Sequence, residues 1–201
     1  ITEFNKHHDG TQALYGIVQG GVYEDLRRAA TDFVNSQPFF AHAVGGSLGA
    51  DKEQMYDVVS YTMSLLNPER PVHLLGIGGV RDIFEGVQKG VDAFDCVHPT
   101  RLARHGGALI RADQDIETDK EHINLKNASF REDPEPIDAT CGCETCQTYS
   151  RSYLHYLLKA KELLAMQAIT IHNVFYMNRL LQAVRGAIKS DTLIEERKKW
   201  V

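Results

Sequence analysis

Cys141, Cys143 and Cys146 crowd into six residues, and His172 follows 26 positions after the last of them. Three thiolates and one imidazole match the ligand set and count of a closed tetrahedral zinc site. The alternative is a disulfide with a spare thiol, but cysteines this close in sequence bridge poorly, because a disulfide needs a specific separation of its two Cα atoms. Three of the four cysteines are accounted for by one metal site, with Cys96 left over. A closed four-ligand site has no open position for a substrate water, so the zinc is expected to hold structure rather than carry chemistry.

Other residues are ambiguous on their own. The stretch from Asp92 to Arg101 (DAFDCVHPTR) places two carboxylates at the end of an apolar run. A carboxylate there can act as a nucleophile on an electrophilic carbon, as an acid or base, or as a metal ligand. It can equally cap a turn, and spacing does not decide between these. Gln19 offers an amide that reads the donor and acceptor edge of a base, or satisfies backbone groups in its own turn. Gly45-Gly46 and Gly78-Gly79 allow a flat ligand to approach the backbone, or are plain turn glycines. Arg101, Arg104, His105 and Arg111, with Arg151, Lys159 and Lys161 further on, can bind phosphate or stack on bases; a solvated loop has the same composition. No G-x-G-x-x-G or Walker A pattern occurs, so a nucleotide cofactor is not indicated.

The elements that must position these residues follow a repeating pattern. Apolar runs Ala13 to Val18, Phe39 to Val44, Val72 to Ile77 and Val91 to Val97 each end in glycine or polar residues. After the first run, Val22, Leu26, Ala29, Ala30 and Phe33 recur at helical spacing; Met55, Val58, Val59, Met63 and Leu66 do so after the second, and Val80, Ile83, Phe84 and Val87 after the third. This is the rhythm of four parallel βα units, in which chemistry sits at the carboxyl ends of strands. A closed barrel has eight such units, so four make half a barrel or a small open sheet. Beyond Thr100, residues 108–111 and 122–126 read as a hairpin. Two helical stretches, near 147–168 and 174–189, close the chain. Segments 1–113, 114–173 and 174–201 are expected to be barrel units, a zinc-binding subdomain and a helical end.

The chain has 201 residues, 43% hydrophobic and 24% charged, with a net charge of -5. That is the composition of a folded protein rather than a disordered one, and a slightly acidic total argues against gripping nucleic acid through bulk charge. The apolar runs are too short to span a membrane, and no signal-peptide pattern is read, so no membrane association is expected. Zinc-bound thiolates need a reducing compartment, and the cytoplasm is expected. The first residue is Ile1, consistent with a piece of a longer protein.

Taken together, Gly16-Ile17-Val18-Gln19-Gly20-Gly21, Gly45-Gly46, Leu74-Leu75-Gly76-Ile77-Gly78, Phe94-Asp95-Cys96-Val97, Pro99-Thr100-Arg101 and the Cys141, Cys143, Cys146, His172 set strongly resemble tRNA-guanine transglycosylases of the bacterial and animal type. The resemblance implies the second half of a (β/α)8 TIM barrel with an inserted zinc subdomain. It implies exchange of the wobble guanine of certain tRNAs for a 7-deazaguanine base, through a covalent aspartyl-ribosyl intermediate. Asp95 matches the nucleophile. Gln19, Gly46 and Ser47 match base-binding positions, with Leu75 on the hydrophobic wall. Gly76, Arg81 and Asp82, and Thr100, Arg101 and Arg104, match loops that contact the anticodon region. Asp92 is read as support. A homodimer formed partly through the zinc region is also implied.

Departures from the pattern carry expectations of their own. Gly49 stands where most bacterial relatives carry a β-branched residue facing the 7-substituent of the base, in a segment about one residue shorter. This favours queuine, with its bulky ring, over 7-aminomethyl-7-deazaguanine. The family's second catalytic aspartate and another base-binding aspartate lie in the first half of the barrel, so the chain alone is expected not to turn over. A noncatalytic RNA-binding or dimerisation subunit is the alternative, disfavoured by retention of Asp95, Gln19 and Gly46.

Overall fold

The computed structural model describes residues 1–114, 116 and 120–201. It contains two compact units, Ile1–Cys96 and Val97–Val201. The sequence-drawn boundaries after 113 and after 173 both fall inside the second.

After a short helix α1 (Thr2–His7), the first unit runs β1 (Tyr15–Val18), α2 (Glu24–Ser36), β2 (Ala41–Val44), α3 (Lys52–Leu65), β3 (Val72–Leu74), α4 (Val80–Gln88) and β4 (Ala93–Phe94). The four strands pair in parallel in sequential order, with Val18 beside Val44, Val44 beside Leu74, and Leu74 beside Phe94. Because side chains alternate across a strand, these four residues share one face. That face is the core: Val18, Val44, Val72 and Leu74 pack with Met55, Val58 and Val59 of α3 and Val34 of α2. The opposite face carries Tyr15 and Ile17, which are 38% and 50% exposed. β1 is an edge strand, with β2 as its partner in the sheet.

The helix faces predicted for α3 and α4 are the buried ones. α2 is different. It turns Arg27, Thr31 and Val34 inward, while Leu26 and Phe33 are exposed. The hydrophobic periodicity fails here because a buried arginine occupies the inner face, its guanidinium satisfied by backbone carbonyls.

The second unit runs α5 (His98–Arg104), β5 (Gly107–Leu109), β6 (His122–Asn124), a 3-10 turn (Ala128–Phe130), α6 (Glu144–Thr148), α7 (Arg151–Lys159), α8 (Leu163–Ser190) and α9 (Leu193–Arg197). β5 and β6 form the expected antiparallel hairpin. The helices are divided differently from expectation. The chain breaks at Ala160–Glu162, where Lys161 takes a left-handed φ of 62°, and α8 then runs unbroken through His172. Its inner face packs against α5, α6, α7 and β5.

Asn173, fully buried on α8, ties this unit together. Its Oδ1 accepts from the Leu109 N–H at 2.9 Å, and its Nδ2 donates to the carbonyls of Pro99 and Gly107. Replacing it strips the β5 groups, the Leu109 N–H and the Gly107 carbonyl, of their side-chain partner, each costing about 1–3 kcal/mol, while the Pro99 carbonyl lies within α5. Asn173→Ala should therefore destabilise the second unit by roughly 2 kcal/mol or more in urea denaturation followed by circular dichroism.

Candidate active site and metal centre

The ends of four parallel strands gather the first candidate site. Gln19 follows β1, Gly45 and Gly46 follow β2, Leu75 and Gly76 follow β3, and Asp95 follows β4. Gly46 has φ +82°, which favours glycine, and a Cβ there would sit in ordinary contact, 3.4 Å from the Gln19 carboxamide oxygen. Glycine thus brings the 46 backbone and the Gln19 amide side by side. Leu75 lies over Gly45, next to Ile17, since a Cβ on Gly45 would sit 3.1 Å from one and 3.4 Å from the other. These residues make an apolar wall beside a polar edge.

Beneath this rim lies Arg27, which sequence reasoning missed. It is 1% exposed. Nε donates to the Gly21 carbonyl at 2.8 Å, Nη1 to Val18 at 3.4 Å, and Nη2 to Gly45 at 3.0 Å and Ser47 at 3.4 Å. Its donors fork to loops after two strands, which suits the planar guanidinium. No local signal marks it, because an arginine within an amphipathic helix ordinarily faces solvent.

Asp95 is the exposed carboxylate of the rim, its side chain 58% accessible. His73 Nε2 lies 2.8 Å from Oδ1, and the Gly76 N–H donates to the same oxygen at 3.2 Å. These bonds, His73 first and Gly76 second, hold the carboxyl below the usual carboxylate range. It is therefore ionised at neutral pH, and as pH falls it keeps its charge longer than an isolated aspartate. His73 was a second residue missed: it sits inside an apolar run, and its meeting with Asp95 is a consequence of register. Its strand partner is Ala93, so His73 and Asp95 emerge on one face. Asp92 is placed differently. Its carboxylate accepts from the Val72 N–H at 2.8 Å, at the amino end of β3, which is a supporting role.

A recess of about 480 Å³ adjoins the rim, lined by residues including Gly46, Leu48, Gly49, Asp51, Met55 and Leu75. Gly49 itself has φ +131°, and a Cβ would meet Gln54 at 2.8 Å. Its lack of a side chain is thus demanded by the loop, whatever it also does for a ligand. Asp51 caps α3 through the Gln54 N–H.

Asp82 is buried and its carboxylate is committed: Lys52 and Tyr56 hold it, and the Gly79 N–H donates to it at the start of α4. Arg81 beside it is exposed. In the second unit, Arg101 and Arg104 are exposed on α5, and the Thr100 hydroxyl donates to the Val97 carbonyl.

The metal cluster is assembled in the second unit. Cys143 caps α6, Cys146 sits within it, Cys141 precedes it, and α8 supplies His172, all four buried. The four ligand atoms lie within 4.8 Å of one another. The Sγ atoms are 3.8, 3.6 and 3.3 Å from His172 Nδ1. Tetrahedral bonds of normal length around zinc put such atoms about 3.5 Å apart, so the set fits a metal ion. His172 Nε2 donates to the Leu109 carbonyl at 2.8 Å, which leaves Nδ1 with the lone pair a ligand needs. Without a cation the donors cannot all shed their protons. Cys141 is held down, chiefly by its bond with Cys146, and Cys146 is pushed up by that bond and by burial. Burial pushes His172 down, but Cys141 and Cys143 outweigh it and raise the imidazole to about 9.

A family sequence profile described as queuine tRNA-ribosyltransferase matches residues 1–201. The chain belongs to this family. A queuine tRNA-ribosyltransferase of Roseiflexus sp. strain RS-1 is 46% identical over 190 residues, which are 94% of this chain and 46% of that protein. A putative queuine tRNA-ribosyltransferase of Archaeoglobus fulgidus is 42% identical over 197 residues, 98% of this chain and 49% of its own. For the queuine tRNA-ribosyltransferase of Halothermothrix orenii the figure is 40% over 196 residues, with 97% and 50% covered. The chain spans about half the length of these curated relatives. Among the described residues, no helix is long and apolar enough to cross a membrane.

Because a metal must displace protons from these ligands, its retention weakens as pH falls. Purified protein should carry one metal ion per chain by atomic emission. Chelation, or dialysis near pH 5, should remove it and lower the melting temperature of the second unit, and Cys143→Ser should do the same at neutral pH.

Proposed function

We propose that this chain is the carboxyl-terminal half of a tRNA-guanine transglycosylase, which exchanges the wobble guanine of a tRNA for a 7-deazaguanine base. The observation that carries this reading is Asp95, an ionised, exposed carboxylate at the carboxyl end of β4, on the same rim as Gln19 and Gly46. Asp95 attacks the ribose anomeric carbon, guanine departs, and the tRNA is held as an aspartyl ester until the new base displaces it. Gln19 and the Gly46 and Ser47 backbone read the polar edge of the base, and Leu75 covers its face. Arg81, Gly76, Thr100, Arg101 and Arg104 contact the anticodon loop. Asp82, buried, acts by holding the start of α4.

A half barrel is supported by the sheet. Strand order runs sequentially with no reversal, as in a barrel, whereas a doubly wound sheet reverses at its switch point. One face carries the helix-packed core, while Tyr15 and Ile17 on the other stay exposed beside the edge of β1. The first half of the barrel would cover both, and would bring the acid and base that the family resemblance places there. Cys141, Cys143, Cys146 and His172 would hold a structural zinc, which supplies a cross-link between α6 and α8. A homodimer is favoured by an aromatic stripe in the zinc-binding region: Tyr149 and Tyr153 stack at 5.4 Å, and Tyr153 and Tyr156 are 41% and 64% exposed. A tRNA substrate and thiolate ligands both favour a reducing compartment such as the cytoplasm.

The inserted base is queuine. The recess beside Gly46 has room for a substituent larger than an aminomethyl group. Gly49→Val would strain the loop, so Ala50, which lines the recess and is exposed, makes the better test. In a full-length version of the protein, Ala50→Phe should cut queuine incorporation about tenfold or more while sparing 7-aminomethyl-7-deazaguanine. Equal loss of both bases would refute the size argument.

Activity is tested by incubating the chain, alone and within a full-length version, with tRNA bearing a wobble guanine and with 9-deazaguanine, followed by a denaturing gel. A covalent adduct from the full-length protein that disappears on Asp95→Ala is expected, with none from the chain alone. No adduct from either would leave a noncatalytic RNA-binding subunit.

A further inference from the structure

Both donors that meet Asp95 meet the same oxygen. His73 Nε2 and the Gly76 N–H converge on Oδ1, and among the described residues no donor reaches Oδ2. A carboxylate oxygen only accepts, so the imidazole presents Nε2–H whether neutral or charged. The ring is steadied by Tyr15, whose ring meets it edge-on at 6.5 Å with an interplanar angle of 84°. His73 is less exposed than Asp95, 28% against 58%, so the imidazole lies behind the carboxylate rather than in front of it.

We propose that His73 is a positioning residue that divides the work of the Asp95 carboxylate, holding Oδ1 as a spectator and leaving Oδ2 as the atom that bonds to the ribose. This rests on the transglycosylase reading above. In the first step Oδ2 forms a bond to the anomeric carbon as the bond to guanine N9 breaks, and the electron pair leaves with guanine. In the second, N9 of the incoming base bonds to that carbon, the ester bond to Oδ2 breaks, and the pair returns to the carboxylate. Guanine takes up one proton and the incoming base gives one up, so the exchange is proton-neutral.

The donors at Oδ1 act differently on the two steps. A hydrogen bond to a carboxylate is stronger than one to a neutral ester carbonyl. His73 therefore makes Asp95 a better leaving group when the ester breaks, and restrains its nucleophilicity when the ester forms. Its loss slows resolution of the adduct more than formation, and tRNA accumulates on the protein. A residue that only maintained the fold would slow both steps together.

The test uses the full-length protein, with His73→Phe to remove the donor and keep a ring, and His73→Gln to return an N–H donor. Adduct formation and decay are followed by rapid quench with wobble-guanine tRNA and queuine. In His73→Phe the adduct should form and then decay about tenfold more slowly, with KM for tRNA unchanged, and His73→Gln should recover most of the decay rate. Carbon-13 NMR of the Asp95 carboxyl provides a readout independent of turnover: its titration should move to higher pH in His73→Phe. Unchanged decay, equal slowing of both steps, or an unmoved carboxyl titration would overturn the assignment while leaving the transglycosylase reading intact. A wild-type protein that forms no Asp95-dependent adduct would overturn both.

Discussion

The rim of the first unit depends on one buried guanidinium. Arg27 reaches carbonyls in the loops after β1 and β2, and those loops hold Gln19 and Gly46. Val18 also accepts from the Gly45 N–H, but the carbonyls of Gly21, Gly45 and Ser47 lie beyond the strands, where burial without donors is costly. A forked cation offers several donors from one point, so a single side chain satisfies the strand ends and sets the distance between their loops. Its own desolvation is offset by the carbonyl dipoles rather than by a carboxylate.

The second unit solves a different problem with different chemistry. Its core contains the three cysteines alongside Leu154, Ile169 and Leu125, and the cluster joins α8 to a loop with little regular structure of its own. A metal ion held there would make up for the apolar area that such a loop cannot supply. The neighbouring residue on α8, Asn173, makes hydrogen bonds to β5 and to the start of α5, so consecutive positions on one helix turn carry the metal ligand and the polar anchor.

Much of the first unit was legible because its cues are local. Four apolar runs ending in glycine or polar residues predicted four parallel strands, and the faces of α3 and α4 followed from spacing. α2 was misread because a buried arginine breaks the rule that links periodicity to burial, and that burial depends on carbonyls at the far ends of two strands. The helices of the second unit divide elsewhere than the stretches 147–168 and 174–189 suggest: the left-handed residue at Lys161 supplies the break, and α8 runs on through His172.

The sequence by itself determined the cysteine and histidine cluster that could hold a metal and the βα rhythm that puts Gln19, Gly46 and Asp95 after strands, because residue type and short spacing are written along the chain. Only the tertiary structure decided that Arg27 lies beneath the rim of Gln19 and Gly46, that Asp82 is buried and committed, and that His73 meets Asp95. Each of these depends on strand register and on which side of a helix faces inward. Those are properties of packing between distant segments, and no local pattern encodes them.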